Sequence, residues 1–123
     1  LTVKKLIFCV ILLLGIILPV KAKDPLTKRD IKAIYAFNIL QTIDMFQTFE
    51  IVESDEWYET NPILGKHPNH GEVLGYFILR GLAHYETTKL IPAKYRDIWH
   101  TYNIVYNLDV INQNHKLGIR ISF

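Results

Sequence analysis

The pattern of apolar and polar residues divides the chain into a leader and a body. Positions 6–20 carry no charged residue, two adjacent lysines precede them, and a Val-Lys-Ala segment ends at Ala22. This order is typical of a secretory signal peptide. Fifteen helical residues span about 22 Å, less than the roughly 30 Å hydrocarbon core of a bilayer. We therefore expect residues 1–22 to be a signal peptide, with a signal anchor as the alternative, and residues 23–123 to form one helical domain.

Capping residues and helical periodicity predict three helices in the body. Thr27 and Asp30 form a Thr-x-x-Asp capping pattern, and Asn69 stands three residues before Glu72. The predicted helices lie near residues 28–52, 70–91 and 95–112. The expected fold class is all-α, a small three-helix bundle after the apolar leader.

Polar stripes on the first two predicted helices do not decide whether this bundle lies in water or in a membrane. The stripe residues are Gln41, Asp44, Gln47, Thr48 and Arg80. Such stripes are typical of the solvated faces of a soluble bundle. They also fit a membrane-embedded bundle with transmembrane helices, in which polar groups turn inward and are usually functional. The sequence supports both interpretations.

Charge and cysteine content exclude several classes of protein. The chain has 14 lysine and arginine residues and 12 aspartate and glutamate residues. Three of the lysines lie in the leader, so the body carries 11 basic against 12 acidic residues. A body with this balance lacks the electrostatic footprint of a nucleic-acid-binding protein. The sole cysteine, Cys9, lies in the leader, so the body has no disulfide, zinc thiolate or cysteine nucleophile.

Three segments of the body resemble a known group of proteins. Residues 44–48 are Asp-Met-Phe-Gln-Thr, residues 59–68 are Glu-Thr-Asn-Pro-Ile-Leu-Gly-Lys-His-Pro, and residues 114–119 are Asn-His-Lys-Leu-Gly-Ile. They resemble an uncharacterised family of small bacterial and phage-associated proteins with an Asp-x-x-Gln-Thr helix and a Glu-Thr-Asn-Pro-x-Leu-Gly-x-His-Pro loop. The resemblance covers about residues 35–123 and implies a short polytopic membrane protein. It implies no activity.

The loop of this motif supplies the first group of candidate site residues: Glu59, Asn61, Pro62, Gly65 and His67. Turn formation explains most of them, because the residue before a proline is extended and glycine allows a positive φ. Turn formation does not explain Glu59, which follows Trp57 and Tyr58. A carboxylate among aromatic side chains is a candidate for binding a cation or for a raised pKa.

Two classes of function fit these features. The first is a non-enzymatic structural or interaction protein of the cell envelope, at the inner membrane or its periplasmic face, whose partner is membrane lipid or an envelope protein. The alternative is a membrane-embedded hydrolase or transferase that uses Asp44, Glu59, His84 and His115. A third option is an ion or proton pathway along the Asp44 stripe. We find no motif for a metal or a cofactor, expect no nucleic acid partner, and leave the oligomeric state open.

Asp44 is the residue on which the function hypotheses depend most. An aspartate in the middle of a helix is unfavourable without a partner. Arg80 and His84 of the second helix are candidate charge partners, and Gln41 and Thr48 are candidate hydrogen-bond donors. We therefore expect Asp44 to be buried and paired, with a functional acid or cation ligand, and plain solvent exposure, as the two alternatives.

Overall fold

The structure is a computed structural model that describes Ala22 and residues 24–121. Three α-helices make up most of this part of the chain. The helices are α1 (Lys28–Glu53), α2 (His70–Leu90) and α3 (Ala93–Lys116), and the described residues contain no strand. The all-α three-helix prediction is confirmed. The leader prediction and Cys9 fall on residues outside this part, apart from Ala22.

The helix boundaries follow from local hydrogen bonds. The Thr27 side chain accepts from the backbone N–H of Asp30, and the Asp30 carboxylate accepts in turn from the backbone N–H of Thr27. The Asn69 side chain accepts from the backbone N–H of Glu72 at 2.8 Å. Both predicted caps are confirmed. The helix α3 is longer than predicted and ends where Gly118 adopts a φ of 95°.

The membrane-spanning part of the prediction is wrong. None of the described helices combines the length and the apolar composition that a membrane crossing requires. The polar residues that fill the helices lower their hydropathy below that of a span.

The central helix is α1, which packs against both α2 and α3. Direct contact between α2 and α3 is slight, although only Ile91 and Pro92 separate them in the chain. Amide side chains join α1 to α3: Gln41 Nε2 donates to Asn107 Oδ1 at 3.0 Å, and Gln47 Nε2 donates to the Ile111 carbonyl at 3.1 Å. Near their connection, Arg96 and Trp99 of α3 donate to Thr88 of α2. Farther from it, the space between α2 and α3 is open to other groups and is lined by α1.

The interior of the bundle contains more polar and charged residues than apolar ones among the described residues. The buried apolar residues among those described are Ile34, Phe37, Ile51, Leu64, Val73, Phe77 and Ile119. The buried polar or charged residues are Asp30, Gln41, Asp44, Gln47, Thr48, His84, Thr88, Arg96, His100 and Asn107. The polar stripe of α1 thus points inward, and the interpretation of that stripe as a solvated face is wrong.

One buried arginine ties the three helices together at one end of the bundle. The Arg96 side chain of α3 is 1% exposed. Its Nη1 lies 3.1 Å from an Asp30 oxygen, and His100 contacts the other oxygen of the same carboxylate. Burial alone would raise the pKa of Asp30, but hydrogen bonds from Thr27, His100 and Arg96 outweigh it and hold the pKa below its usual value. The Arg96 guanidinium donates five hydrogen bonds of 2.8–3.1 Å to acceptors of Asp24, Pro25, Asp30, Thr88 and Ile91.

Candidate functional site

A cleft of about 570 Å³ lies between α2 and α3. Asp44 and Thr48 of α1 line its floor, and Tyr76 and Arg80 of α2 face Tyr106 of α3 across it. Aromatic and turn residues of the loop, from positions 57–64, complete the lining together with the segment after α3. Cavities of this size hold small-molecule ligands in many proteins.

The floor of the cleft carries a buried charge pair. Asp44 is 6% exposed, and its Oδ2 lies 3.7 Å from Arg80 Nη1. The expected pairing with Arg80 is therefore present. The expected hydrogen bonds to the carboxylate are not, because Thr48 donates to the backbone carbonyl of Asp44 and Gln41 donates to Asn107. A threonine hydroxyl within a helix often bonds to the carbonyl four residues earlier in this way.

Burial controls the ionisation of Asp44. It raises the pKa from 3.8 to about 6; Arg80 lowers the pKa and the charge of Glu59 raises it further. The folded protein therefore binds a proton at Asp44 more tightly than the unfolded chain does. The stability contributed by this proton is fully present below pH 3.8 and is lost as the pH rises through about 6.

Asp44→Asn is expected to change stability in a pH-dependent way. Since asparagine cannot ionise, the variant should match the parent near pH 4 and exceed it by about 1–3 kcal/mol above pH 7. Urea unfolding at a series of pH values measures this difference. Asp55→Asn, at an exposed loop position, is the matched control and should show no such trend. A difference between Asp44→Asn and the parent that is constant with pH would contradict the assignment.

The loop between α1 and α2 is held by its own hydrogen bonds. Glu59 Oε1 accepts from the backbone N–H of Asn61 at 2.8 Å, and Asn61 Oδ1 accepts from that of Ile63 at 2.9 Å. Gly65 has a φ of 80°, as its position in the motif predicted. Of the five candidate loop residues, Glu59, Asn61 and Pro62 line the cleft. The other two, Gly65 and His67, do not line it.

The two candidate histidines lie away from the cleft. His84 is buried, with its ring stacked 3.8 Å from that of Phe37 and 5.4 Å from that of Trp99, measured between centroids. Burial lowers the pKa of His84 to about 4, and the nearby His100 and Arg80 lower it too. His115 is exposed near the end of α3. Asp44 and Glu59 thus share the cleft, while His84 and His115 do not join them.

The described residues offer no assembled metal site. No group of three or more histidine, aspartate, glutamate or cysteine side chains within this part of the chain is placed to hold a metal ion. Among the candidates of the polar stripe, Asp44, Thr48 and Arg80 line the cleft. The stripe residues Gln41 and Gln47 instead bond to α3, where they fix the packing of the helices.

The exterior of the bundle is a second unusual feature, which the sequence analysis did not identify. Large apolar side chains are exposed on all three helices: Ile98 and Tyr102 of α3 are 72% and 67% exposed, and Tyr35 of α1 is 67% exposed. The spacing of three and four residues along α3 was the available signal. We call the exposed face of α3 the α3 seam, defined by Tyr95, Ile98, Tyr102 and Val105.

Comparison of the chain with protein-family models, with curated proteins and with solved structures finds no match. The resemblance of the loop motif therefore stays a prediction.

Proposed function

We propose that this protein is a non-enzymatic interaction protein of the cell envelope that works by helix-to-helix association through the α3 seam. The observation that supports the proposal is the reversed distribution of side chains: among the described residues, ten polar or charged residues are buried and seventeen large hydrophobic residues are exposed, six of them on α3. An exposed apolar face of this kind marks an interaction site in most soluble proteins.

The spacing of the α3 seam fits a helical partner. Its apolar residues stand three, four and three residues apart, which is the spacing at which two helices pack side by side. Two of the four are tyrosines, a residue type enriched in interfaces because it combines apolar area with a polar end. The seam lies opposite the buried face of α3, which carries Arg96 and Asn107.

We propose a second copy of this chain as the partner. An antiparallel pair of α3 helices centred between residues 101 and 102 places Ile98 of one copy opposite Val105 of the other. In the same arrangement Lys94 of each copy meets Asp109 of the other, so opposite charges face each other at both ends. Symmetric dimers with one self-complementary patch are the commonest oligomers.

Charges around the seam favour protein over lipid as the partner. Arg29 of α1 and Asp97 of α3 form an ion pair of 3.2 Å on the exterior, with both side chains more than half exposed. Hydrocarbon would remove the water from such charges without supplying partners, which is costly. A protein surface supplies hydrogen bonds and opposite charges at the rim of an interface.

Disulfide cross-linking tests the proposed arrangement. In a Cys9→Ser background, Tyr102→Cys places two thiols near the twofold axis and should give a covalent dimer on mild oxidation. Tyr95→Cys lies on the same seam, but its two copies would be about 20 Å apart, beyond the reach of a disulfide. We expect a dimer band on a non-reducing gel for the first variant alone. Equal cross-linking of both variants, or of neither, would contradict the antiparallel pair.

The enzyme alternative receives no specific support from this geometry. Its acid and base candidates, Asp44 and Glu59, lie in the cleft without either histidine. Two described threonines, Thr48 and Thr60, line the cleft, and the Thr48 hydroxyl is bonded to the carbonyl of Asp44.

A further inference from the structure

Three charged side chains line the cleft between α2 and α3, and their charges do not balance. Asp44 and Glu59 are acidic, and Arg80 is the basic residue among the described lining residues. With all three ionised, the lining carries a net charge of −1. The cleft is therefore suited to a ligand that brings one positive charge.

Arg80 lies beside the buried carboxylate of Asp44 but does not form a hydrogen bond with it. The 3.7 Å between Arg80 Nη1 and Asp44 Oδ2 is longer than a hydrogen bond. The guanidinium carbon of Arg80 lies 5.8 Å from the centre of the Phe37 ring and 5.9 Å from that of Tyr106. Asp44 is only 6% exposed, yet no described side chain or backbone group donates a hydrogen bond to its carboxylate. The Asp44 oxygens are not among the fully enclosed, unpartnered atoms of the described residues. They therefore retain some accessible area, and a ligand with N–H groups in the cleft could donate to them.

We propose that this cleft binds an organic monocation, an ammonium group attached to an apolar body. The ammonium donates to the carboxylates of Asp44 and Glu59, and the apolar body lies against the rings of Tyr76 and Tyr106. The carboxylates supply the negative charge that the ammonium needs, and the aromatic rings supply apolar area for the body of the ligand. This site is separate from the α3 seam, so either proposal can fail without the other.

Other classes of ligand fit the cleft less well. An anion would meet two carboxylates and only one guanidinium, which is already placed beside Asp44. A bare metal ion would need more acidic or histidine ligands than the described lining provides. A neutral apolar molecule would leave the Asp44 carboxylate without a donor.

Protonation of Asp44 competes with the cation. The charged and titratable groups that line the cleft with Asp44 are Arg80 and Tyr76 from α2, Glu59 and Tyr58 from the loop, and Tyr106 from α3. Since burial raises the pKa of Asp44 to about 6, the carboxylate is mostly ionised at pH 7.5 and mostly protonated at pH 5. The affinity for the cation should therefore be lower at pH 5 than at pH 7.5.

Isothermal titration with three probes of similar shape tests the proposal. The probes are 2-phenylethylamine, which is cationic, 2-phenylethanol, which is neutral, and 3-phenylpropionate, which is anionic. At pH 7.5 the amine should bind to the full-length protein at least ten times more tightly than either other probe. Its affinity should fall at least threefold at pH 5.

Variants on two separate elements show whether the amine occupies this cleft. Asp44→Asn on α1 and Glu59→Gln in the loop should each weaken amine binding, by at least tenfold and threefold respectively. Asp55→Asn and Glu56→Gln, at exposed positions of the same loop, are the matched controls and should leave it unchanged. The proposal is overturned if the anion or the alcohol binds as tightly as the amine. Amine binding that both cleft variants leave unchanged, or no saturable binding of the amine up to about 10 mM, would also overturn it.

Discussion

Replacing Arg96 by methionine is expected to lower the free energy of unfolding by about 3–5 kcal/mol, because the change removes the charged partner of the buried Asp30 carboxylate and leaves it only its contacts with Thr27 and His100. Methionine keeps much of the side-chain length but donates no hydrogen bond. The buried Asp30 carboxylate and four backbone carbonyls, three of them in part-buried hydrogen bonds, would each lose a donor. Urea unfolding followed by circular dichroism measures the loss. Domains are commonly stable by about 5–15 kcal/mol, so a loss of this size is a large fraction of the total.

Arg29→Met is the matched control for this experiment. Arg29 also pairs with an aspartate, but its side chain is 79% exposed. An exposed pair contributes about 1 kcal/mol or less. Similar losses for the two variants would show that Arg96 does not hold the end of the bundle as the structure indicates.

The helices could be predicted from the sequence because their signals are local. The capping pair Thr27 and Asp30 and the cap Asn69 each depend on residues three positions apart, so no tertiary contact is needed to find them. The end of α3 was placed too early because its last turn depends on a distant contact. Asn114 Nδ2 of that turn donates to Gln47 Oε1 of α1 at 3.1 Å, a contact that periodicity cannot reveal.

The direction of the polar stripes could not be predicted for a different reason. Periodicity identifies the residues that share a face, and in a globular protein it favours burial of the apolar face. The buried face of α1 is instead mostly polar. The deciding contacts are pairs such as Gln41 with Asn107, which lie 66 residues apart. The same limit explains why Arg96 was missed as the centre of a buried network.

The candidate site was predictable in part. Asp44 and Arg80 were a plausible pair, because adjacent helices place polar stripes side by side, and the structure brings them together. His84 lies one helical turn beyond Arg80, and its ring is held between Phe37 and Trp99. His115 follows the last buried contacts of α3 and is exposed. Aromatic packing and helix length, which decide these two positions, are tertiary features.

Replacing Ile98 by aspartate is expected to dissociate the proposed dimer. Because the dimer is symmetric, each copy contributes one substituted residue to the interface. Two carboxylates would therefore be buried in an apolar seam without partners. Such a penalty commonly exceeds 3 kcal/mol, which corresponds to a rise in the dissociation constant of more than a hundredfold. The fold should survive, because Ile98 is 72% exposed in the single chain. Ile39→Asp is the matched control, since Ile39 is 63% exposed but lies on α1.

The molar mass of the purified protein in solution, measured by sedimentation equilibrium, tests the central claim most directly. The chain mass is 14.4 kDa. We predict twice that mass for the parent and for Ile39→Asp, and the mass of one chain for Ile98→Asp at the same concentration. A parent that sediments as a single chain, or an Ile98→Asp variant with the mass of the parent, would contradict association through the α3 seam.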